Sequence, residues 1–205
     1  MPRRLDPRFL VLAASLAAAA AGVGAAALLG PRGAPALQAG TALEDPRPLA
    51  EFALADERGR PLGRRDFEDR WSLVFTGFTH CPDLCPTTLA ELAALRAQLP
   101  ARALQIVFLS VDPARDTPER IAGYLAHFGP GIRGATGTTA QVEAFTGQLG
   151  LAQVRNPGVS GDYTVDHSAA LVLIDPEARV AGYFRPPHDA RALAADLAGL
   201  VRGAG

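Results

Sequence analysis

Ser72-Leu73-Val74-Phe75-Thr76-Gly77-Phe78-Thr79-His80-Cys81-Pro82-Asp83-Leu84-Cys85-Pro86 is the stretch on which the reading turns. Ser72 to Phe78 is an apolar run of strand length. Pro86 to Leu99 reads as a helix, with Leu89, Leu92, Leu95 and Leu99 on one face and Pro100 as its stop. The chain has only two cysteines, and both fall at this junction. The pattern places Cys85 at the helix N-cap and Pro86 at N1. A helix N-terminus favours anions, so both thiols are expected to ionise below the free value of about 8.5. The thiolate is the form that attacks disulfides and binds metals.

The spacing narrows the chemistry. Two sulfurs separated by three residues around a helix start come within disulfide or chelate distance. A C-x-x-C pair would suggest a thioredoxin-type redox enzyme, whereas C-x-x-x-C has a wider, more pliable bite. Two Cys cannot close a structural zinc site, which takes four ligands. They suit Cu(I), which selects soft thiolates and accepts low coordination. The only methionine is Met1, so a soft-metal site must draw on Cys and His.

Outward from the junction, strands and helices alternate. Phe52 to Phe67, with the turn Glu57-Arg58-Gly59-Arg60-Pro61, reads as a short hairpin. Leu104 to Val111 is a second buried strand. Thr117 caps the next helix, Pro118 stands at N1, Ile121, Leu125 and Phe128 form its buried stripe, and Gly129-Pro130 ends it. Thr138 and Gln141 have capping-box spacing before a helix carrying Val142, Phe145 and Leu149, closed by Gly150. Ala169–Ile174 and Arg179–Phe184 flank a turn at Asp175-Pro176-Glu177-Ala178. Asp189 caps a last helix with Leu193, Leu197, Leu200 and Val201. Periodicity alone gives α/β with a mixed sheet; a βαβ half followed by a ββα half, with both cysteines where the first core strand meets the next helix, points to a thioredoxin-like fold with an N-terminal hairpin and an inserted helix, preceded by one transmembrane helix.

That transmembrane helix is Phe9 to Leu29, an uncharged run that as a helix spans about 31 Å against a hydrocarbon core of roughly 30 Å. Arg3, Arg4 and Arg8 precede it and hold that end in the cytoplasm. The run is long for a cleavable signal peptide, although Ala25-Ala26-Ala27 resembles a cleavage site. The expected organisation is a cytoplasmic N-terminus at 1–8, an anchor (or signal peptide) at 9–29, a flexible Pro/Gly-rich linker at 30–47, and a soluble domain at 48–205. The leader is an uncharged span with no room ahead of it for an Arg/Ser-rich amphipathic presequence. A bacterial inner membrane with the domain in the periplasm is therefore the expected location. The 205 residues have 48% apolar and 20% charged content and a formal net charge of −1. Nucleic acid is excluded as the main partner, because phosphate binding needs a basic face.

A third ligand would have to be one of four His. His80 adjoins Cys81 and reads as structural or exposed. His127 sits late in a helix, where the C-terminal dipole accounts for it. His188 lies in a Pro-rich segment and reads as solvated. His167 ends Tyr163-Thr164-Val165-Asp166-His167, which leads into an apolar strand whose entry in a thioredoxin-like fold faces the first helix's N-terminus. On position alone, a lone His is more often structural than a ligand. Asp112 and Asp116 suit turn geometry and the positive end of the helix at Pro118, with a docking role as the alternative. Asp83 reads as a solvated turn residue.

Three segments change the prior on His167. Phe78-Thr79-His80-Cys81-Pro82-Asp83-Leu84-Cys85-Pro86, Val111-Asp112-Pro113-Ala114-Arg115-Asp116-Thr117-Pro118-Glu119 and Val165-Asp166-His167-Ser168, in that order behind a membrane anchor, resemble the Sco/SenC family over about residues 48–200. The resemblance implies a thioredoxin-fold copper protein that helps build the dinuclear copper centre of cytochrome c oxidase subunit II. Cys81, Cys85 and His167 would be its metal ligands, and an upstream periplasmic copper donor would supply it. Copper would be bound as Cu(I) or, with a further water or oxygen ligand, as Cu(II). The alternative is a thiol-disulfide oxidoreductase that reduces the target's cysteines through a redox-active Cys81–Cys85 pair. Such a reductase has no evident need of a distant imidazole. A peroxiredoxin-like peroxidase fits less well, because the Pro-rich C-x-x-x-C setting lacks the usual Thr/Ser-x-x-Cys context. Whether the chain is an enzyme at all therefore turns on His167.

Overall fold

The computed structural model describes residues 36–99, 104–158 and 163–203. The expected span at 9–29 and the charged residues before it lie outside the described residues. Among the described residues no helix is long and apolar enough to cross a membrane. The unit from Ala34 to Gly205 is built on an eight-stranded mixed sheet.

At its centre, β4 (Trp71–Gly77) lies parallel to β5 (Leu104–Ser110), joined through α1 (Leu84–Arg96). β9 (Leu171–Ile174) pairs antiparallel with β4 on its other side, and β10 (Arg179–Phe184) pairs antiparallel with β9. The order β5-β4-β9-β10, completed by α4 (Ala190–Gly203), is the βαβ-plus-ββα arrangement expected from the sequence. The hairpin of β2 (Leu54–Asp56) and β3 (Pro61–Leu62) also forms where expected.

Both faces of this sheet are covered, which is why its strands read as unbroken apolar runs. Leu73, Phe75, Ile106 and Phe108 point to one face, against Leu89 and Leu92 of α1, Ile121 and Leu125 of α2 (Pro118–Leu125), and Leu193 and Leu197 of α4. Val74, Val107 and Leu109 point to the other, against Val142 and Phe145 of α3 (Thr139–Gln148) and Leu54, Leu62 and Phe67 of the N-terminal segment. The caps of the middle helices match the sequence. Thr117 accepts from the Arg120 N–H, and Thr138 and Gln141 form a reciprocal box.

Three segments depart from the sequence reading. Gly40–Pro48, expected as part of a flexible linker, is edge strand β1, antiparallel to β10. Its prolines are tolerated because an edge strand leaves half of its N–H groups without a ladder partner. The Asp196 carboxylate also accepts from the backbone N–H groups of Gln38 and Ala39 at 2.9 and 2.8 Å, fixing the entry to the strand. β6 (Ile132–Thr136) adds to β5 in parallel and to β2 antiparallel. Its Ile132-Arg133-Gly134-Ala135-Thr136 carries too little apolar bulk to register as a strand. β7 (Gln153–Pro157) and β8 (Tyr163–His167) make a separate polar hairpin that reads as loop in the sequence.

Gly134 is needed for close approach: a Cβ there would stand 2.3 Å from Ile121 Cγ2 and 2.9 Å from Glu57 Cβ. Gly134→Ala must push α2 off the sheet. We expect a loss of about 1–3 kcal/mol, read as a lower denaturant midpoint at unchanged slope.

Candidate metal centre

The end of β4 delivers the chain into a tight turn, closed by the Cys81 N–H donating to the Phe78 carbonyl at 3.1 Å. α1 then begins at Leu84, with Asp83 as its N-cap. Cys85 is therefore inside the first turn rather than at the cap, and Pro86 is not at N1. The shift has a physical consequence: Cys85 faces the sheet and is fully buried, while Cys81 is half-buried and Leu84 between them is 68% exposed. The Cys85 N–H donates to Cys81 Sγ at 3.4 Å, so one free amide of the helix start is spent on the neighbouring sulfur.

The expectation that both thiols ionise easily fails for Cys85. Burial pushes its pKa far up, and the hydrogen bond with the Cys81 thiol adds to this. The Phe78 backbone hydrogen bond acts in the opposite sense and is outweighed. Without a cation beside it, Cys85 is a thiol.

His167, the last residue of β8, comes to this sulfur. Its Nε2 lies 3.7 Å from Cys85 Sγ. Nδ1 faces the Ser168 carbonyl at 3.2 Å, which fixes the tautomer: Nδ1–H donates and the Nε2 lone pair is left toward the sulfur. Thr76 of β4 donates its hydroxyl to the same Ser168 carbonyl at 2.8 Å. The Phe78 ring stands edge-on to the imidazole at 6.0 Å. An ion at zinc-like bond lengths to one sulfur and one imidazole nitrogen spans a sulfur–nitrogen gap of up to about 4.3 Å. The observed gap fits inside that limit. Among the described residues, no three His, Cys, Asp or Glu groups already close around one point. The site is thus a two-point Cys85–His167 grip with the Cys81 sulfur at its edge.

Asp112 and Asp116, read as turn residues beside the positive helix end, bond mainly to the neighbouring segments. Both are buried. Asp116 accepts from the Thr79 N–H (2.9 Å), the Thr79 hydroxyl (2.6 Å) and the Ser110 hydroxyl (2.6 Å), pinning the cysteine turn to the end of β5. Asp112 accepts from the Tyr163 hydroxyl at 2.6 Å and from Arg115 Nε. The Tyr163 ring also contacts two guanidinium groups, Arg115 at 3.8 Å and Arg155 at 4.2 Å. This network fixes the start of the strand that ends in His167. Sequence reading missed Tyr163, Arg155 and Thr76; the one available signal was Tyr163 opening the motif that His167 closes.

The other singled-out residues stay outside the grip. His80 is exposed, with Nε2 accepting from Arg120 at 2.9 Å. His127 Nδ1 is 3.1 Å from the Tyr124 carbonyl at the end of its helix. His188 is partly exposed, and Asp83 is exposed at the helix cap.

Burial lowers the pKa of His167, only partly offset by the Ser168 carbonyl and the Asp166 charge. The neutral ring is therefore the folded form. Protonation favours the unfolded chain, so stability from this residue is full above the unfolded value of 6.5 and is lost as pH falls below it. Metal-free protein should lose stability between pH 7 and pH 5, and His167→Gln should flatten that slope in parallel denaturation series.

A family model described as SCO1/SenC matches residues 41–202. A putative copper-binding protein of Stutzerimonas stutzeri is 40% identical over 144 residues, covering 69% of this chain and 71% of that one. The mitochondrial protein SCO2 homolog of Homo sapiens is 39% identical over 139 residues, 65% of this chain and 52% of that one. This chain thus spans about half the length of its mitochondrial relative. The structure of Bradyrhizobium japonicum ScoI with copper bound aligns with a TM-score of 0.66 at 35% identity, covering 72% of this chain and 96% of that one.

Proposed function

The chain belongs to the SCO1/SenC family, whose thioredoxin-like α/β fold it has, and from that premise we propose that it is a membrane-anchored copper chaperone. Copper is its cargo, Cys81, Cys85 and His167 are the ligands, and the dinuclear copper centre of cytochrome c oxidase subunit II is the destination. Residues 9–29 anchor it in a bacterial inner membrane and hold the domain in the periplasm, where an upstream donor loads it.

The observation that carries this reading is the 3.7 Å approach of His167 Nε2 to Cys85 Sγ, with the imidazole lone pair turned toward the sulfur. Two thiolates and an imidazole suit Cu(I), a soft ion content with few ligands; zinc would ask for a fourth. The half-buried Cys81 leaves one sulfur open to exchange with a recipient's cysteines. Oxidation of the pair to a disulfide by exchange with an external disulfide, which takes up the two electrons and two protons and leaves as two thiols, removes two of the three donors and ends binding.

The reductase reading uses the same two sulfurs. It is weaker here because it leaves the placement of His167 without a purpose. The test is anaerobic titration of the full chain in detergent with Cu(I), alongside Cys81→Ser and Cys85→Ser, with stoichiometry read by native mass spectrometry. One ion per wild-type chain and none retained by either variant is the expected result. A wild type that holds no copper yet reduces a model disulfide would replace the chaperone with the reductase.

A further inference from the structure

Beside Ser168, the residue after His167, lies a cavity of about 320 Å³ that the metal centre does not use. That volume is at the lower end for small-molecule sites. Arg185 lines it directly, exposed just past the end of β10. Arg47 of β1 stands at the same wall: a Cβ on Gly150, another lining residue, would meet Arg47 Nη2 at 3.3 Å and the Tyr183 hydroxyl at 3.1 Å. Arg47 Nη2 donates to that hydroxyl at 2.6 Å, and the hydroxyl donates to the Leu149 carbonyl at 2.9 Å. The phenol therefore orients the guanidinium without neutralising it.

Neither charge has a counter-ion. Among the described residues, neither Arg47 nor Arg185 is in ion-pair contact with a carboxylate. Arg60, Arg133 and Arg179 by contrast each have their own acid, Asp56, Asp66 and Asp175. A second cavity, lined by Arg155 and Glu143, holds both signs. Ser168 adds a donor to the first. Its hydroxyl accepts from the Ala152 N–H at 3.1 Å but reaches the Ala152 carbonyl only at 3.4 Å. A hydrogen held so loosely turns readily to a better acceptor. The backbone offers little more: the N–H groups of Gly150, Leu151 and Ser168 are bonded to the carbonyls of Gly147, Thr146 and Ala152. A phosphate, with three acceptor oxygens, is usually met by a nest of free N–H groups. Two guanidinium groups and one hydroxyl suit a carboxylate better, with Leu151 and Ala170 beside its methylene carbons.

We infer that this cavity is a carboxylate-binding site, with Arg185 and Arg47 as its counter-charges and the Ser168 hydroxyl as a further donor. The carboxylate comes from one of two sources: a free small dicarboxylate, or an Asp or Glu side chain of a protein docked beside His167. Ser168 ties the cavity to the metal centre, since its carbonyl accepts from the imidazole Nδ1–H while its side chain lines the cavity wall. The site needs no metal, so it stands independently of the copper reading.

The test is a titration of the metal-free, nitrogen-15-labelled full chain in detergent, followed by amide NMR shifts. One arm uses succinate, with neutral succinamide as its control. The other uses a capped tetraglutamate peptide, with capped tetraglutamine as its control. At least one acid should give saturable shifts at the amides of Gly150, Leu151 and Ser168, and neither neutral control should. Saturation by succinate alone identifies a free small acid as the ligand. Saturation by the peptide alone identifies an acidic protein segment. Arg185→Gln removes a side chain with no partner to lose among the described residues, so it should leave the fold intact and weaken binding roughly 10-fold or more. Arg47→Gln should do the same. The inference is overturned if neither acid saturates, if the neutral controls shift the same amides, or if Arg185→Gln binds as well as wild type. Tighter binding of inorganic phosphate than of either acid also overturns it. No metal enters the titration, so its failure leaves the copper reading untouched, and a failure of copper binding leaves this site untouched.

Discussion

His167→Ala is expected to abolish Cu(II) binding and to weaken Cu(I) binding by about 10- to 100-fold, while leaving the protein folded. The two ions should respond differently because of what each demands. Cu(I) is satisfied by two thiolates, so the loss of the imidazole costs one bond of three. Cu(II) prefers nitrogen and oxygen donors in a tetragonal arrangement, and His167 is the one nitrogen donor in the proposed ligand set. The ring is positioned for this work on both sides: the Ser168 carbonyl holds Nδ1–H, the Thr76 hydroxyl shares that carbonyl, and Nε2 is left 3.7 Å from Cys85 Sγ. Folding should survive because the sheet behind the site is closed by β4, β9 and β10 independently of the imidazole. Affinities measured for both ions, with far-UV circular dichroism as the folding control, decide the matter. A variant that keeps Cu(II) would remove His167 from the ligand set and move the balance toward disulfide chemistry.

The sequence reading succeeds where a segment carries its own explanation. β4, β5 and β9 are apolar on both faces because helices or the N-terminal segment cover both faces, and that pattern survives without knowledge of their neighbours. The Thr117 and Thr138 caps are local chemistry and lie where they were read. The strands that escaped are those whose reason for existing lies in another strand. β1 has prolines and little apolar bulk, and it is held by β10 and by Asp196, which is 157 residues from Ala39. β6 is glycine-bearing because α2 presses on it. The site divides in the same way. The cysteine pair announces itself by spacing at a strand–helix junction, but the dipole argument fails for Cys85, since that argument is local and burial is not. His167 lies 82 residues from Cys85, and only the resemblance of three motifs singled it out. Tyr163 and Asp112 meet across 51 residues, beyond the reach of any local pattern.

Asp116→Ala should be the most damaging single change outside the ligands, with a loss of about 3–5 kcal/mol and, at about 2–4 °C per kcal/mol for a domain of this size, a melting temperature lower by roughly 10 °C. The carboxylate is buried and takes three hydrogen bonds, two from the cysteine turn and one from the end of β5: Thr79 through its N–H and hydroxyl, and Ser110 through its hydroxyl. Removing it strands three donors, each of which gave up water to reach it. Asp116→Asn should be the milder change, because an amide oxygen in the Oδ2 place still accepts from the Thr79 N–H and the Ser110 hydroxyl, and the amide N–H then faces the Thr79 hydroxyl, which can accept. Two controls separate the pin from a packing defect. Ser110→Ala alone should cost less, since it leaves the carboxylate with two donors and strands only the Asp112 N–H that the Ser110 hydroxyl accepts from. The double variant Ser110→Ala, Asp116→Ala should be less destabilised than the sum of the singles, because one stranded donor is gone. The same change should reach the metal centre, since Thr79 precedes Cys81 by two residues and the turn between them is closed on Phe78. A released turn lets the Cys81 sulfur wander from its place over the helix start, so Cu(I) affinity should fall along with stability. An Asp116→Ala protein that melts within a degree or two of wild type would show that the turn is held by something other than this carboxylate. A variant that loses stability but keeps full Cu(I) affinity would show that the sulfur's position does not depend on the pin.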